Sequence, residues 1–368
     1  MARRGVAWVA VLLASLATAA CPEVAPPPDP TGCSQPFTQS GPIALAWPRP
    51  RMVFQQHGGR GDVRVAGRLV GIAPGAVVAR AGRSVWQRIE SDATGAFDGA
   101  VPGVPTGWSS VEVRLARDPS VRASVAQVGV GNVVVLAGQS NMVMQLETRH
   151  ATTLGATVLG QRRDPDDPNA FAPASDPLHD CAQTTGSIWP ELADRVIADT
   201  GGTPLAFVAT AVAWTGLVAD GAWLPGGGAF EAMRAQVDTA TAGQRCPAAL
   251  LWLQGETDAF RGVSHDDYRD GLLAFAAGVE DAMACRVPIV AGVIGRVEED
   301  VWTPAAAAEA IRQATLDALD ASPDLYPGPW TYDLPIHALH FTDEAAGPLL
   351  DRWCAAVGAA PTGLRCSP

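Results

Sequence analysis

The sequence predicts an α/β protein, a three-layer sandwich around a parallel sheet, preceded by a small β-sandwich domain. Three observations carry this expectation. Four continuous apolar runs, VVVLAG at 133–138, LAFVATAV at 205–212, AALLWL at 248–253 and PIVAGVIG at 288–295, read as strands buried on both faces, the pattern of a parallel sheet. Helical stretches at Trp189–Asp199, Tyr268–Met283 and Ala305–Leu319 fall between these runs, and such alternation is the signature of a layered α/β fold. From about Leu45 to Gly129 the signals are instead short and all β.

The elements follow in chain order. Residues 1–20 read as an export leader: Arg3 and Arg4 give a positive start, and Val6 to Ala17 form an apolar run too short to span a bilayer comfortably. Ala-Ala-Cys at 19–21 has the form of a bacterial lipobox, which would lipidate Cys21 and attach the chain to a membrane. Thr18 stands where Leu is usual, so simple cleavage near Ala19 or Ala20 is the alternative. The expected location is outside the bacterial cytoplasm: secreted, periplasmic or lipid-anchored. Residues 21–44, rich in proline, read as an extended tether. In 45–129, Val63-Arg-Val-Ala and Val111-Glu-Val-Arg-Leu alternate apolar and polar residues, and Val77-Val-Ala-Arg is a β-branched run. Turns such as Ala73-Pro-Gly and Ala93-Thr-Gly separate them, which gives a small sandwich with a packing or positioning role. Residues 130–368 form the expected catalytic domain, and in such sheets chemistry gathers at the carboxyl ends of the strands.

Composition narrows the function. Of the 368 residues 48% are hydrophobic and 17% charged, enough apolar material for a core. The formal net charge is −12 and the chain contains no Lys, which argues against nucleic acid as a partner, because phosphate binding needs clustered cations. Seven cysteines are present. With Cys21 set aside, six suit disulfides in an oxidising compartment; the expected pairings are Cys354 with Cys366 and Cys246 with Cys285, leaving Cys33 for Cys181, and buried free thiols are the alternative. No pair has zinc-finger spacing, so no metal is expected.

The chemistry is expected directly after the first buried strand, at Gly138-Gln139-Ser140-Asn141-Met142. A serine there is presented at a strand end, in a turn whose backbone N–H groups can stabilise an oxyanion.

GQSNM resembles the first motif of the SGNH hydrolases, in the branch that contains sialate O-acetylesterases and carbohydrate esterase family six. Arg51-Met-Val-Phe-Gln-Gln resembles the β domain that precedes the catalytic domain in sialate O-acetylesterases. Gly186-Ser-Ile-Trp-Pro-Glu-Leu-Ala, Leu251-Trp-Leu-Gln-Gly-Glu-Thr-Asp and His340-Phe-Thr-Asp-Glu follow in family order. The resemblance spans roughly residues 45 to 358 and implies a flavodoxin-like SGNH fold. The activity it implies is hydrolysis of acetyl esters of carbohydrates, with Ser140 as nucleophile and His340 as base. It also implies an oxyanion hole from the N–H of Ser140, a backbone N–H of the second motif (Ala213 or Trp214) and the side-chain amide of Gln254. Gln139, Asn141, Trp214 and Glu256 would line the substrate pocket, with Asp258 behind them. Ser–His chemistry needs no cofactor.

Two departures stand out. The family places an acid three residues before the catalytic His, where this chain has His337. Asp333 could supply the acid from the preceding loop, or a backbone carbonyl could orient a Ser–His dyad. The second motif, usually Ala-Val-Gly-Gly-Thr, is here Ala211-Val-Ala-Trp-Thr-Gly, so Ala213 and Trp214 stand in place of glycines. Trp214 reads equally as a sugar-stacking platform or as core. His150, His179 and His265 fall in polar loops where solvation explains them. These departures keep open a second reading, a surface carbohydrate-binding lipoprotein that kept the fold and lost catalysis. A third, a membrane-anchored scaffold, rests on the tether alone.

Overall fold

A computed structural model describes residues 41–159, 170–179, 185–296 and 305–367. The leader, Cys21 and the Cys33–Cys181 pairing lie outside the described residues, as does most of the tether.

The N-terminal layer begins with β1 (Ile43–Trp47), β2 (Val53–Gln55), β3 (Arg60–Leu69), β4 (Val77–Ala81), β5 (Gln87–Ile89), β6 (Ala96–Pro105) and β7 (Gly107–Leu115). β1, β3 and β6 form one antiparallel sheet. β5, β4 and β7 form a second with the first half of β8 (Asp118–Gly138), and β2 runs parallel to β8. Alternation sets the faces: Val77, Ala79 and Ala81 of β4 and Val111, Val113 and Leu115 of β7 are buried, while the residues between them are only partly so.

β8 joins the two layers. Its first half alternates exposed and buried positions, as a strand half open to water does. From Val128 every residue is buried, so the same strand becomes the centre of a sheet covered on both faces. The run at 133–138 is therefore the end of a strand of 21 residues, and the sequence division at 129 falls inside it.

The parallel sheet adds β9 (Thr157–Leu159), β10 (Phe171–Pro173), β11 (Leu205–Ala209), β12 (Ala249–Leu253), β13 (Ile289–Val293) and β14 (Leu325–Trp330) in the order β10-β9-β11-β8-β12-β13-β14. All neighbours are parallel except β10 with β9. Along β11-β8-β12-β13-β14 this is the flavodoxin-like order. The helices are α1 (Ser140–Val143), α2 (Trp189–Asp199), α3 (Gly228–Ala240), α4 (Glu256–Phe260), α5 (His265–Met283), α6 (Ala305–Ala321) and α7 (Asp343–Ala359). The path from β8 to β11 runs one way across the sheet and the path from β11 to β14 the other. Right-handed crossovers therefore place α2 on one face and α3, α5 and α6 on the opposite face. Trp189 of α2 meets Trp353 of α7 at 5.6 Å between ring centroids and Phe207 of β11 at 6.4 Å, which fixes α7 to the first face. On the other face Trp252 of β12 lies 4.3 Å from Phe275 of α5 and 5.3 Å from Trp223. β15 (Ile336–His337) and β16 (His340–Phe341) form a small hairpin before α7.

Disulfides join Cys246 to Cys285 and Cys354 to Cys366, as the sequence suggested. Among the described residues no helix is long and apolar enough to cross a membrane.

Candidate active site

Ser140 opens α1 at the carboxyl end of β8 and is buried. Its position depends on Gly138, which has φ 135° and pairs with Leu253 of β12; an added Cβ there would come 2.1 Å from the Leu253 carbonyl oxygen. Only glycine lets the two central strands approach so closely at the point where both chains turn. The N–H of Gln139 donates to that same carbonyl at 3.1 Å, so Ser140 and Gln254 emerge side by side from adjacent strands. The N–H of Ser140, at the first helical position, has no acceptor within its own helix.

Asn141 ties three segments together. Its side-chain amide donates to Glu256 Oε1 at 2.6 Å and to the Leu339 carbonyl at 3.0 Å. Leu339 precedes His340, so this hydrogen bond holds the hairpin that carries His340 beside α1. Glu256 is buried; burial raises its carboxyl pKa, with the Asp258 charge adding to the shift, and among the described residues its Oε2 has no partner. The His340 imidazole is also largely buried, which lowers its pKa, and among the described residues Nε2 has no hydrogen-bond partner. Asn141 and Glu256, expected to touch substrate, direct their paired polar atoms at each other inside the protein.

Gln254 corrects the expected oxyanion hole. Its Nε2 donates to Gln139 Oε1 at 3.0 Å, the Thr215 carbonyl at 3.1 Å and Asp258 Oδ2 at 2.6 Å, while Oε1 and the backbone carbonyl accept from the Tyr268 hydroxyl. An amide group has two N–H donors, and both are spent here, so Gln254 fastens the surrounding loops instead of facing an oxyanion. The Gln139 Oε1 also accepts from the N–H of Thr257 at 3.1 Å, so this oxygen is engaged within the protein. Asp258, fully buried, accepts from the N–H groups of Leu217, Val218 and Ala219, each at 2.8 Å, and so shapes the loop after the second motif. Tyr268, which sequence reasoning missed, is a helix residue fourteen positions from Gln254 that no local signal marks. Burial, reinforced by the Asp258 and Glu256 carboxylates, raises its phenol well above the usual range and keeps it a donor.

Asp333 does not reach the candidate base. Both its oxygens are bound by Arg352 of α7 at 2.7 Å, and that ion pair holds its carboxyl down to about 2. His337 is paired with His340 across the β15–β16 hairpin and is exposed. Among the described residues no carboxylate bonds to His340.

In the second motif the N–H of Val212 donates to the Gly138 carbonyl at 2.9 Å, which brings Ala213 and Trp214 to the mouth of the site. Trp214 adopts φ 64°, a conformation that suits the glycine it replaces and costs a residue with a Cβ about 1–2 kcal/mol. Its side chain is 45% exposed, so the core-packing reading of Trp214 is set aside. The loop after α1 is closed by Gly186, whose N–H and carbonyl exchange hydrogen bonds with Leu146; an added Cβ would lie 1.6 Å from the Thr148 carbonyl oxygen. Asp343 then ties Glu147 and Thr148 to the start of α7. Among the described residues no three His, Cys, Asp or Glu side chains converge as a metal site.

A family model described as carbohydrate esterase, sialic acid-specific acetylesterase, matches residues 130–347. Among solved structures, a carbohydrate acetylesterase from Xanthomonas citri is 15% identical with a TM-score of 0.58, covering 84% of this chain and 73% of its own. A protein from Arabidopsis thaliana is 18% identical with a TM-score of 0.51, covering 62% of this chain and 98% of its own. No curated protein matches the sequence. At these identities the two structures bear on the fold.

Proposed function

The chain belongs to the carbohydrate esterase family of sialic acid-specific acetylesterases, a family of carboxylic ester hydrolases, and from that premise we propose that it removes O-acetyl groups from carbohydrates through Ser140 and His340. The observation that carries the assignment of residues is the Asn141 bridge. It links the segment bearing Ser140 to the residue preceding His340, and it does so at the carboxyl end of the two central strands.

In this mechanism Ser140 Oγ attacks the acetyl carbonyl while His340 accepts the hydroxyl proton. The oxyanion forms against the N–H of Ser140 and a backbone N–H of Ala213 or Trp214. Collapse breaks the ester bond, the sugar oxygen takes the proton from His340, and an acetyl-serine remains. Water, deprotonated by His340, then releases acetate and restores Ser140. The base acts as a dyad positioned through the Leu339 carbonyl, with Glu256 holding Asn141 in place.

A carbohydrate substrate accords with the aromatic side chains on this edge. Trp214 follows β11 and Trp330 ends β14, each more than 40% exposed. Flat aromatic faces of this kind stack on the C–H faces of sugar rings. Export through the 1–20 leader, with or without lipid on Cys21, fits the two disulfides, which belong to an oxidising compartment.

The test is hydrolysis of 4-nitrophenyl acetate and of acetylated glycans by the purified chain and by Ser140→Ala. Loss of roughly a thousandfold or more in the variant is expected, as for a missing nucleophile. Equal rates would remove Ser140 from the mechanism. One observation favours a second reading, a glycan-binding protein with weakened catalysis: among the described residues His340 has no carboxylate partner. Glycan binding without turnover would decide for it.

A further inference from the structure

The N-terminal layer carries a groove of about 630 Å3 on the surface between the β4–β5 turn and the β6–β7 turn. Its volume falls within the range of small-ligand clefts. Three features distinguish it. First, its lining includes Arg60 and Arg83 and no acidic residue, in a chain whose formal charge is −12. Second, neither arginine has a carboxylate partner among the described residues, whereas Arg64, Arg80, Arg88 and Arg114 of the same layer all do. Arg60 is steered instead by the Gly103 carbonyl, which accepts from Nη1 at 2.7 Å, and the residue is exposed. Third, Trp108 stands in the wall, 40% exposed. Its ring is seated on Gly129, where an added Cβ would come 2.9 Å from a ring carbon, so one face is pinned while part of the ring meets solvent.

We propose that this groove binds an acidic saccharide segment, with Arg83 and Arg60 on its carboxylates and Trp108 against a sugar ring. The guanidinium forks match carboxylates, and a pinned aromatic ring loses little freedom on stacking. Gly103 and Gly107, where an added Cβ would meet nothing within 4 Å, leave open backbone along the rim for a bulky ring to approach. The saccharide class rests on the proposed function; the anionic character rests on the groove itself.

The site is separate from Ser140. Trp108 pairs with Gly129 of β8, and nine residues at about 3.3 Å each put it roughly 30 Å from Gly138, beyond the amino ends of the parallel strands. It therefore tethers a polymer rather than positions the scissile ester, raising the local concentration of acetyl groups at the reaction centre.

Calorimetric titration of the full chain with tetragalacturonate, xylotetraose and hexaglutamate tests this. Tetragalacturonate should bind, weaken as salt is raised, and lose roughly tenfold in affinity in Arg83→Ala, the size of one charge-assisted contact. Arg83 is exposed and has no carboxylate partner among the described residues, so that variant should fold and hydrolyse 4-nitrophenyl acetate at the wild-type rate; Trp108→Ala should weaken binding as well. No binding of tetragalacturonate, equal binding of xylotetraose, tighter binding of hexaglutamate, or an unchanged affinity in Arg83→Ala would each overturn the proposal. Binding with these dependences in a protein that hydrolyses no ester would leave the groove standing and remove the esterase reading alone.

Discussion

At His340 the balance between burial and charge decides how the base can work. With no carboxylate bound to it among the described residues, desolvation alone acts on the ring and lowers its pKa. The sign follows directly. Below the pKa the ring is protonated and cannot take the Ser140 proton; as pH rises through it, the base form appears. The acid limb of kcat/KM for 4-nitrophenyl acetate should therefore lie below about pH 6.5, the ordinary histidine value, with a plateau above it. A limb well above that value would mean that an anion stabilises the imidazolium. Asn141 and Asp333 separate the two ways of orienting the base. Asn141→Ala removes the link to Leu339 and should lower kcat about tenfold to a hundredfold, the scale of a small misplacement of a reacting group. Asp333→Asn should leave kcat within about twofold, since the carboxylate is engaged by Arg352 in a surface pair. A collapse of activity in Asp333→Asn alone would mean that the loop rearranges on binding substrate.

The strand ends and turns show which features of this site a one-dimensional reading can reach. The placement of Ser140 at a strand end was legible because the continuous apolar run stops at Gly138. The replacement of glycines by Ala213 and Trp214 was legible too, but its outcome was not: positive φ at Trp214 becomes visible only in three dimensions. Asp333 and Gln254 were misread for a common reason. Each has chemically competent atoms near the right sequence position, and each is claimed by other side chains of the folded protein: Asp333 by Arg352 of the last helix, and Gln254 by Gln139 from the neighbouring strand end and by Asp258 one helical turn on. The length of β8 was hidden because its periodicity changes from alternating to continuous in mid-strand. The glycines give a clean contrast at this scale. Gly138→Ala would place a Cβ 2.1 Å from the Leu253 oxygen at φ 135°, and should cost about 3 kcal/mol or more of unfolding free energy. Gly103→Ala, at φ 61° in open space, should cost only about 1 kcal/mol. Urea titrations of the two variants would show whether strand contact or backbone strain dominates.

Across the whole molecule the two layers are bound by more than a shared strand. Arg64 of β3 donates to the Ala242 carbonyl at 2.8 Å, Gln244 donates to the Asp62 carbonyl at 2.7 Å, and the N–H of Val133 donates to Gln55 Oε1 at 2.8 Å. With Trp108 resting on Gly129 and beside Pro204, separating the layers would expose buried apolar surface and polar groups at once. The layers should therefore unfold together, in one calorimetric transition whose van't Hoff and calorimetric enthalpies agree. The disulfides allow a sharper form of this test, because both lie outside the N-terminal layer. The Cys246–Cys285 and Cys354–Cys366 bridges span 39 and 12 residues, and the chain-entropy argument assigns them about 4 and about 3 kcal/mol. If the layers are coupled, replacing Cys246 and Cys285 with Ala should lower the hydrogen-exchange protection of β4 and β7 as much as that of β12 and β13, since slow amides in both would exchange through the same global opening. Protection lost in β12 and β13 but retained in β4 and β7 would show that the N-terminal layer folds independently, and that β8 is two strands in energetic terms despite its continuous backbone.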